Sequence, residues 1–404
     1  MNRSGCGRMA ALGLLLCAGA LGLTGCWDRT EVNDLALITG AAIDCNGNGR
    51  LELTVQIFIP RASGGGGGDM MSQKSGGGGN ENTFTRTAEG ENIADALSHL
   101  QSELPRMLFW GHAEVIVFGE AAAKDGIRDD VDYLMRSPHP RERSFIYVSR
   151  GKAKDVLELH SILERDTAEV LREMSKSRLA LSVTLAQLST MLTSDADAAL
   201  LPMITVVPAP AKQMDQGISY IDGLAVFKDD CMIGYADKET TRGVLWLRDQ
   251  VQRAILTVHP AGPRGSVSLK MINSNTRLIP RIEGDDWLMD VYIKTENDAL
   301  QNTTRLNLVS DLRAVKQVEA ELNDEMKSKV RLALTLAQQT LKADIFDFAG
   351  EFHRAYPAVW KKEKGRWEQH FASVEVRIHP AAKMLRPGLA SIPSPVPDKE
   401  EHSK

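Results

Sequence analysis

The chain has 404 residues, 43% of them hydrophobic and 5% aromatic, and its 53 acidic residues outweigh 48 basic ones to give a net charge of −5. That length accommodates two or three domains of roughly 100–200 residues each. A mildly acidic chain without a basic stripe argues against a nucleic-acid partner, so few aromatics argue against a carbohydrate-stacking cleft, and five cysteines over this length make no disulfide scaffold.

Residues 1–25 read as an export signal. Arg3 and Arg8 form a short basic start, and Met9 to Leu23 is almost wholly apolar but too short for a comfortable membrane span. The segment ends Leu23-Thr24-Gly25-Cys26. Cysteine is the side chain whose thiolate a diacylglyceryl donor can alkylate, so cleavage is expected between Gly25 and Cys26, with Cys26 as the lipidated N-terminus. Two acyl chains anchor stably where one binds only reversibly, at about 0.8 kcal/mol per buried methylene. No later apolar run approaches the ~20 residues needed to cross a bilayer, so the rest is expected as an ectodomain tethered outside a membrane. Cys6 and Cys17 leave with the signal, and Cys45 and Cys231 are read as free thiols in separate domains rather than a disulfide.

Residues 36–44 and 51–59 are β-rich runs around Cys45-Asn46-Gly47-Asn48-Gly49-Arg50, which predicts a hairpin. The glycine runs at 64–68 and 76–79 lose too much backbone entropy on ordering to hold one conformation, and no Gly-Lys-Ser/Thr follows them. They predict a mobile loop over 63–80. Ile93, Leu97 and Leu100 recur at helical spacing within 90–103, followed by a strand at 114–118, a helix at about 120–135 and a strand at 145–149. Residues 152–200 read as helical with short interruptions, and 202–210 as extended and bounded by prolines. A boundary is placed near 211–217.

Strands are then expected at 218–228 and 231–235 across Lys228-Asp229-Asp230, a helix near 237–247, and strands at about 253–259, 266–273, 276–283 and 287–294. Leu322, Met326, Val330, Leu334, Ala337, Leu341 and Ile345 draw one apolar stripe, the mark of a long helix packed on a sheet. A strand at 375–379 could lie under it. The tail from 387 is rich in proline and charge and expected to be disordered. The fold class expected is α+β, a three-domain ectodomain in which each domain is a mostly antiparallel β-sheet with flanking helices: 26–210, 217–285 and 286–386.

Catalytic constellations are missing. The chain has no His-Glu-x-x-His, no Gly-x-Ser-x-Gly, no Cys-x-x-Cys and no Walker-type loop, and its nine histidines are scattered. His112 and His353 are read as structural. Asp129-Asp130 and Asp285-Asp286 are adjacent carboxylates, whose side chains diverge on a helix or strand and so make poor acid/base pairs. No catalytic residue, metal site or cofactor is assigned. Cys26 alone receives a chemical role.

Residues 26–35 (CWDRTEVNDL) resemble the start of the spore germinant-receptor C subunits, the Ger(x)C lipoproteins, which typically begin Gly-Cys-Trp-Asp-x-x-Glu-Leu-Asn-Asp. Four further blocks resemble that family in order: 111–119 (GHAEVIVFG), 130–155, 222–249 and 343–371. Val32 stands where leucine is common, and Asp347-Phe348-Ala349 where the family often shows Gly-Phe-Gly, a change that could alter a local turn. The resemblance implies a non-enzymatic subunit, anchored by a diacylglyceryl-modified cysteine to the outer face of the inner spore membrane. It would act beside two integral-membrane subunits, A and B, in nutrient-triggered germination. The alternative is a solute-binding lipoprotein of an importer, which would show two similar lobes joined by a hinge.

Overall fold

The computed structural model describes residues 34–59, 83–137, 140–159, 164–177, 180–207, 217–262 and 264–387. The signal segment, Cys26, the glycine-rich loop and the tail from 388 lie outside the described residues.

The first sheet begins with the expected hairpin, β1 (Leu35–Cys45) and β2 (Leu51–Phe58). Its turn is made by Asn46, whose side-chain oxygen accepts from the amides of Asn48 and Arg50 at 3.0 Å each, while Gly49 takes a φ of 74° that a side chain would strain. β3 (Thr83–Gly90) pairs antiparallel with β2. Helix α1 (Ile93–Glu103) is capped by Asn92, which accepts from the Asp95 amide, and buries Ile93, Ala96 and Leu100. β4 (Met107–Phe109) and β5 (Val115–Gly119) both run parallel to β1.

The single helix expected at 120–135 is two, α2 (Glu120–Asp125) and α3 (Arg128–Arg136). Gly126 separates them at φ 129°, and a Cβ there would meet the Asp230 carboxylate at 3.0 Å. β6 (Phe145–Ser149) follows as expected. The segment read as helical to 200 holds α4 (Ala153–Leu157), α5 (Thr167–Ser177) and α6 (Leu185–Leu192), but its last residues belong to β7 (Ala198–Val207). The apolar run from Ala198 to Leu201 is buried throughout, a pattern a central strand shares with a buried helix.

β8 (Ile218–Lys228) pairs antiparallel with β7, and β9 (Cys231–Ala236) with β8. The sheet order is β3-β2-β1-β5-β6-β7-β8-β9, with β4 beside β1. Its centre, β1-β5-β6-β7, is parallel and its margins are antiparallel.

Asp237 caps α7 (Lys238–Leu247). The second sheet has the order β10-β11-β12-β13, with β10 (Ile255–Val258), β11 (Val267–Glu283), β12 (Asp286–Asn302) and β13 (Glu375–Arg386). The two strands expected at 266–273 and 276–283 are one, because the irregular register at Met271–Asn273 bends β11 without ending it. Helix α8 (Leu312–Leu334) runs on through a π-helical stretch at Thr335–Leu341, and Lys342 ends it in the left-handed region at φ 51°. Ile345 is buried just beyond the helix. α8 also covers the edge of β13: Asn323 accepts from the Ala382 amide at 2.8 Å and Glu319 from the Met384 amide at 2.9 Å.

The α+β class with flanking helices holds. Strand pairing crosses both internal boundaries expected from the sequence. β7 and β8 pair across 210–217, and β11 and β12 across 285. One large core runs between the two sheets, from Ile38 and Phe118 through Trp246 to Val330 and Phe352, while a smaller one under α4 and α5 holds Tyr147, Val156 and Leu171.

Candidate functional site

The junction between the sheets holds one of the chain's buried carboxylates, Asp344, close to the guanidinium of Arg248. It is built from the segments 222–249 and 343–371, far apart in sequence. Asp344 is 3% exposed and its two oxygens are fully engaged. Oδ1 accepts from the amides of Phe346 and Phe348 at 3.3 and 3.1 Å, and Oδ2 from the Ala349 amide at 2.7 Å and from Trp367 Nε1 at 3.2 Å. Burial pushes its carboxyl up to about 6, against the lowering effect of the Ala349 and Phe348 amides.

Arg248, at the end of α7, reaches into the same place. Its Nη1 donates to the Ile345 carbonyl at 2.7 Å, and its Nε to Gln250 at 3.2 Å. Burial pulls this guanidinium below its ordinary value, and the charges of Asp347 and Asp344 push it back. Asp347 occupies the left-handed region at φ 62°. Aspartate is thus held in a conformation that glycine adopts without strain. Helices α9 (Phe348–Ala355), α10 (Pro357–Glu363) and α11 (Trp367–Ser373) follow, and their rings pack together. Trp287 of β12 stands 4.6 Å from Phe352 and 5.8 Å from Trp367, centroid to centroid.

A carboxylate with four donors already on it has no free lone pair for a substrate. The Asp344 cluster therefore clasps the start of α9 to Trp367 and, through Arg248, the C-terminal helices to α7. Sequence reasoning did not single out Arg248 or Asp344. The available sign was two aspartates, Asp344 and Asp347, set among Ala343, Ile345, Phe346 and Phe348.

The residues weighed from sequence are not brought together. His112 is exposed in a turn with its ring 6.4 Å from that of Phe109. His353 Nδ1 lies 2.5 Å from Asp195 and its ring stacks on Trp360 at 5.7 Å. Asp285 is exposed in the β11–β12 turn and Asp286 is exposed as the first residue of β12. Asp130, half-buried on α3, has its carboxyl pushed up to about 7 by burial and by the charge of Asp129. Cys45 and Cys231 are both free thiols and belong to the same sheet, each feeling the charge of Asp125 at the end of α2. Among the described residues no group of three or more His, Cys, Asp or Glu could hold a metal ion, and no helix is long and apolar enough to cross a membrane.

Comparison with known proteins bears directly on this architecture. The spore germination protein N-terminal domain family matches residues 28–206, and the spore germination B3/GerAC-like C-terminal family matches 222–388. YfkR of Bacillus subtilis (strain 168) is 28% identical over 379 residues, covering 94% of this chain and 96% of the relative. Spore germination protein KC of the same organism is 23% identical, covering 96% and 98%. The crystal structure of the GerBC protein superposes with a TM-score of 0.56 at 17% identity, covering 86% of this chain and 97% of that one, so the fold is shared. With both halves matched in order and the fold in common, the chain belongs to the Ger(x)C family of spore germination proteins.

Proposed function

We propose that this protein is the lipid-anchored, non-catalytic C subunit of a nutrient germinant receptor. It sits on the outer face of the inner spore membrane, tethered through a diacylglyceryl group on Cys26, beside two integral-membrane subunits A and B. The observation that carries the reading is the order of parts. A segment that reads as an export signal runs to Gly25-Cys26, and the two germination families match 28–206 and 222–388 after it. A non-catalytic role is supported by the match to the two germination families.

The test compares a gene deletion and a Cys26→Ala strain, both in a background lacking other receptors of the family. Nutrient-triggered loss of optical density should be abolished or slowed in both, sporulation should be normal, and palmitate labelling should disappear in Cys26→Ala. Normal nutrient germination in both strains would overturn the proposal. The importer reading has less support, because among the described residues the two sheets hold nine and four strands rather than forming similar lobes. Tight binding of an amino acid or sugar by the purified chain, measured by calorimetry, would favour it.

A further inference from the structure

A groove of about 880 Å³ opens between the two sheets, on the side of α7. Its floor includes Leu224, Leu245 and Val251, all buried. Arg242, Arg253 and Lys270 stand around it, and among the described residues no carboxylate lines it. That is unusual for a chain with more acidic than basic residues. Among the described residues none of these three side chains makes a hydrogen bond or ion pair, although Arg242 is half-buried. Lys238 also borders the groove but is engaged elsewhere, 3.5 Å from Asp222 and over the Tyr220 ring. The carboxylate nearest in register to Lys270 is Asp298 on β12, and it pairs with Arg386 at 3.4 Å.

The apolar surface continues outward. Ile255 and Leu300, 59% and 54% exposed, line the groove from β10 and β12. Small-molecule sites are concave and mostly apolar, with a few placed polar groups, and span roughly 300–1,000 Å³. Three cations bordering an apolar floor, with no side-chain partner among the described residues, favour an anionic ligand. A carboxylate there would gain charge-assisted hydrogen bonds, and its hydrocarbon would cover surface now in water.

We infer that this groove is a binding site for a small apolar carboxylate, with Arg242, Arg253 and Lys270 receiving its anionic end and Leu245, Val251, Ile255 and Leu300 its hydrocarbon. The assignment is independent of the anchor and of the receptor partners.

The test uses the full chain carried in nanodiscs of uncharged lipid, with 4-phenylbutyrate as probe and saturation-transfer NMR as readout, corrected for empty nanodiscs. 4-Phenylbutyrate should bind saturably. 4-Phenylbutylamine, with the opposite charge, and butyrate, without the ring, should each bind at least roughly tenfold more weakly, the scale expected for losing a charged hydrogen bond or the buried apolar area. Arg242→Gln combined with Lys270→Gln should weaken 4-phenylbutyrate by a similar factor. Equal affinity for the amine, unchanged affinity in the variant, or no saturable signal would each overturn the site. Should the double variant lose its native spectrum, Arg253→Gln, an exposed position, reads the same outcome in a folded chain.

Discussion

Asp344 and Trp367 are joined by a 3.2 Å hydrogen bond from the indole Nε1 to Oδ2, in a position closed to water. The same oxygen accepts from the Ala349 amide at 2.7 Å, so one buried carboxylate ties the first turn of α9 to the first turn of α11. Replacing Asp344 by alanine strands four donors in an interior where an unmet donor costs far more than a met one contributes. We expect Asp344→Ala to lower unfolding stability by about 3 kcal/mol or more, allowing for relief from burying the charge. Urea unfolding followed by tryptophan fluorescence measures this, and a loss below about 1 kcal/mol would mean that water reaches the site.

Surface pairing across the same junction should matter much less. His353 and Asp195 have side chains 50% and 39% exposed, so solvent screens them well. Asp195→Ala is expected to cost below about 1 kcal/mol in the same assay. A cost matching that of Asp344→Ala would show that burial is not what separates the two contacts.

The pH dependence has a defined sign. Burial raises Asp344 to about 6 from 3.8, and burial with the Asp129 charge raises Asp130 to about 7 from the same value. Between the unfolded and folded values the folded chain holds more protons, so the stability these groups contribute is complete below 3.8 and is lost as pH rises through about 6 and about 7. Asn at position 130 does not titrate. Relative to wild type, Asp130→Asn should therefore gain stability between about pH 4 and about pH 8, by differential denaturant unfolding. A constant difference across that range would remove Asp130 from the account.

Gly243 lies where α7 crosses α8, and a Cβ on it would strike the Lys329 carbonyl oxygen and come within 3.0 Å of the Ala333 Cβ. Alanine favours a helix interior over glycine by about 1 kcal/mol, but backbone cannot yield as a side-chain end can. Gly243→Ala should therefore be net destabilising by about 2 kcal/mol, and thermal unfolding should report a lower Tm. An unchanged or higher Tm would mean that the two helices can separate at no cost.

Cys45 and Cys231 should be slow nucleophiles. Burial, followed by the Asp125 charge for Cys45 and the Asp230 charge for Cys231, pushes both thiols above their ordinary value of 9.0. Iodoacetamide should label both in the native chain more slowly than a free peptide thiol at the same pH, by mass spectrometry. Labelling of either at the peptide rate would contradict that environment.

Local chemistry made many elements legible. The Asn46 and Gly49 turn, the Asp237 cap and the Leu322-to-Leu334 stripe produce a hairpin, a helix start and a packed helix face wherever they occur, because each acts over a few residues. The ordered blocks after Gly25-Cys26 pointed to the family for the same reason: they are read along the chain. Lateral pairing is different. Nothing near Val207 says that β7 and β8 join in one sheet, or that β11 runs unbroken past Met271, since a strand's partner is chosen by long-range burial. The Asp344 carboxyl and the Arg248 guanidinium were likewise ordinary charges in the sequence. Only the closing of two sheets around them took away their water and turned them into a clasp.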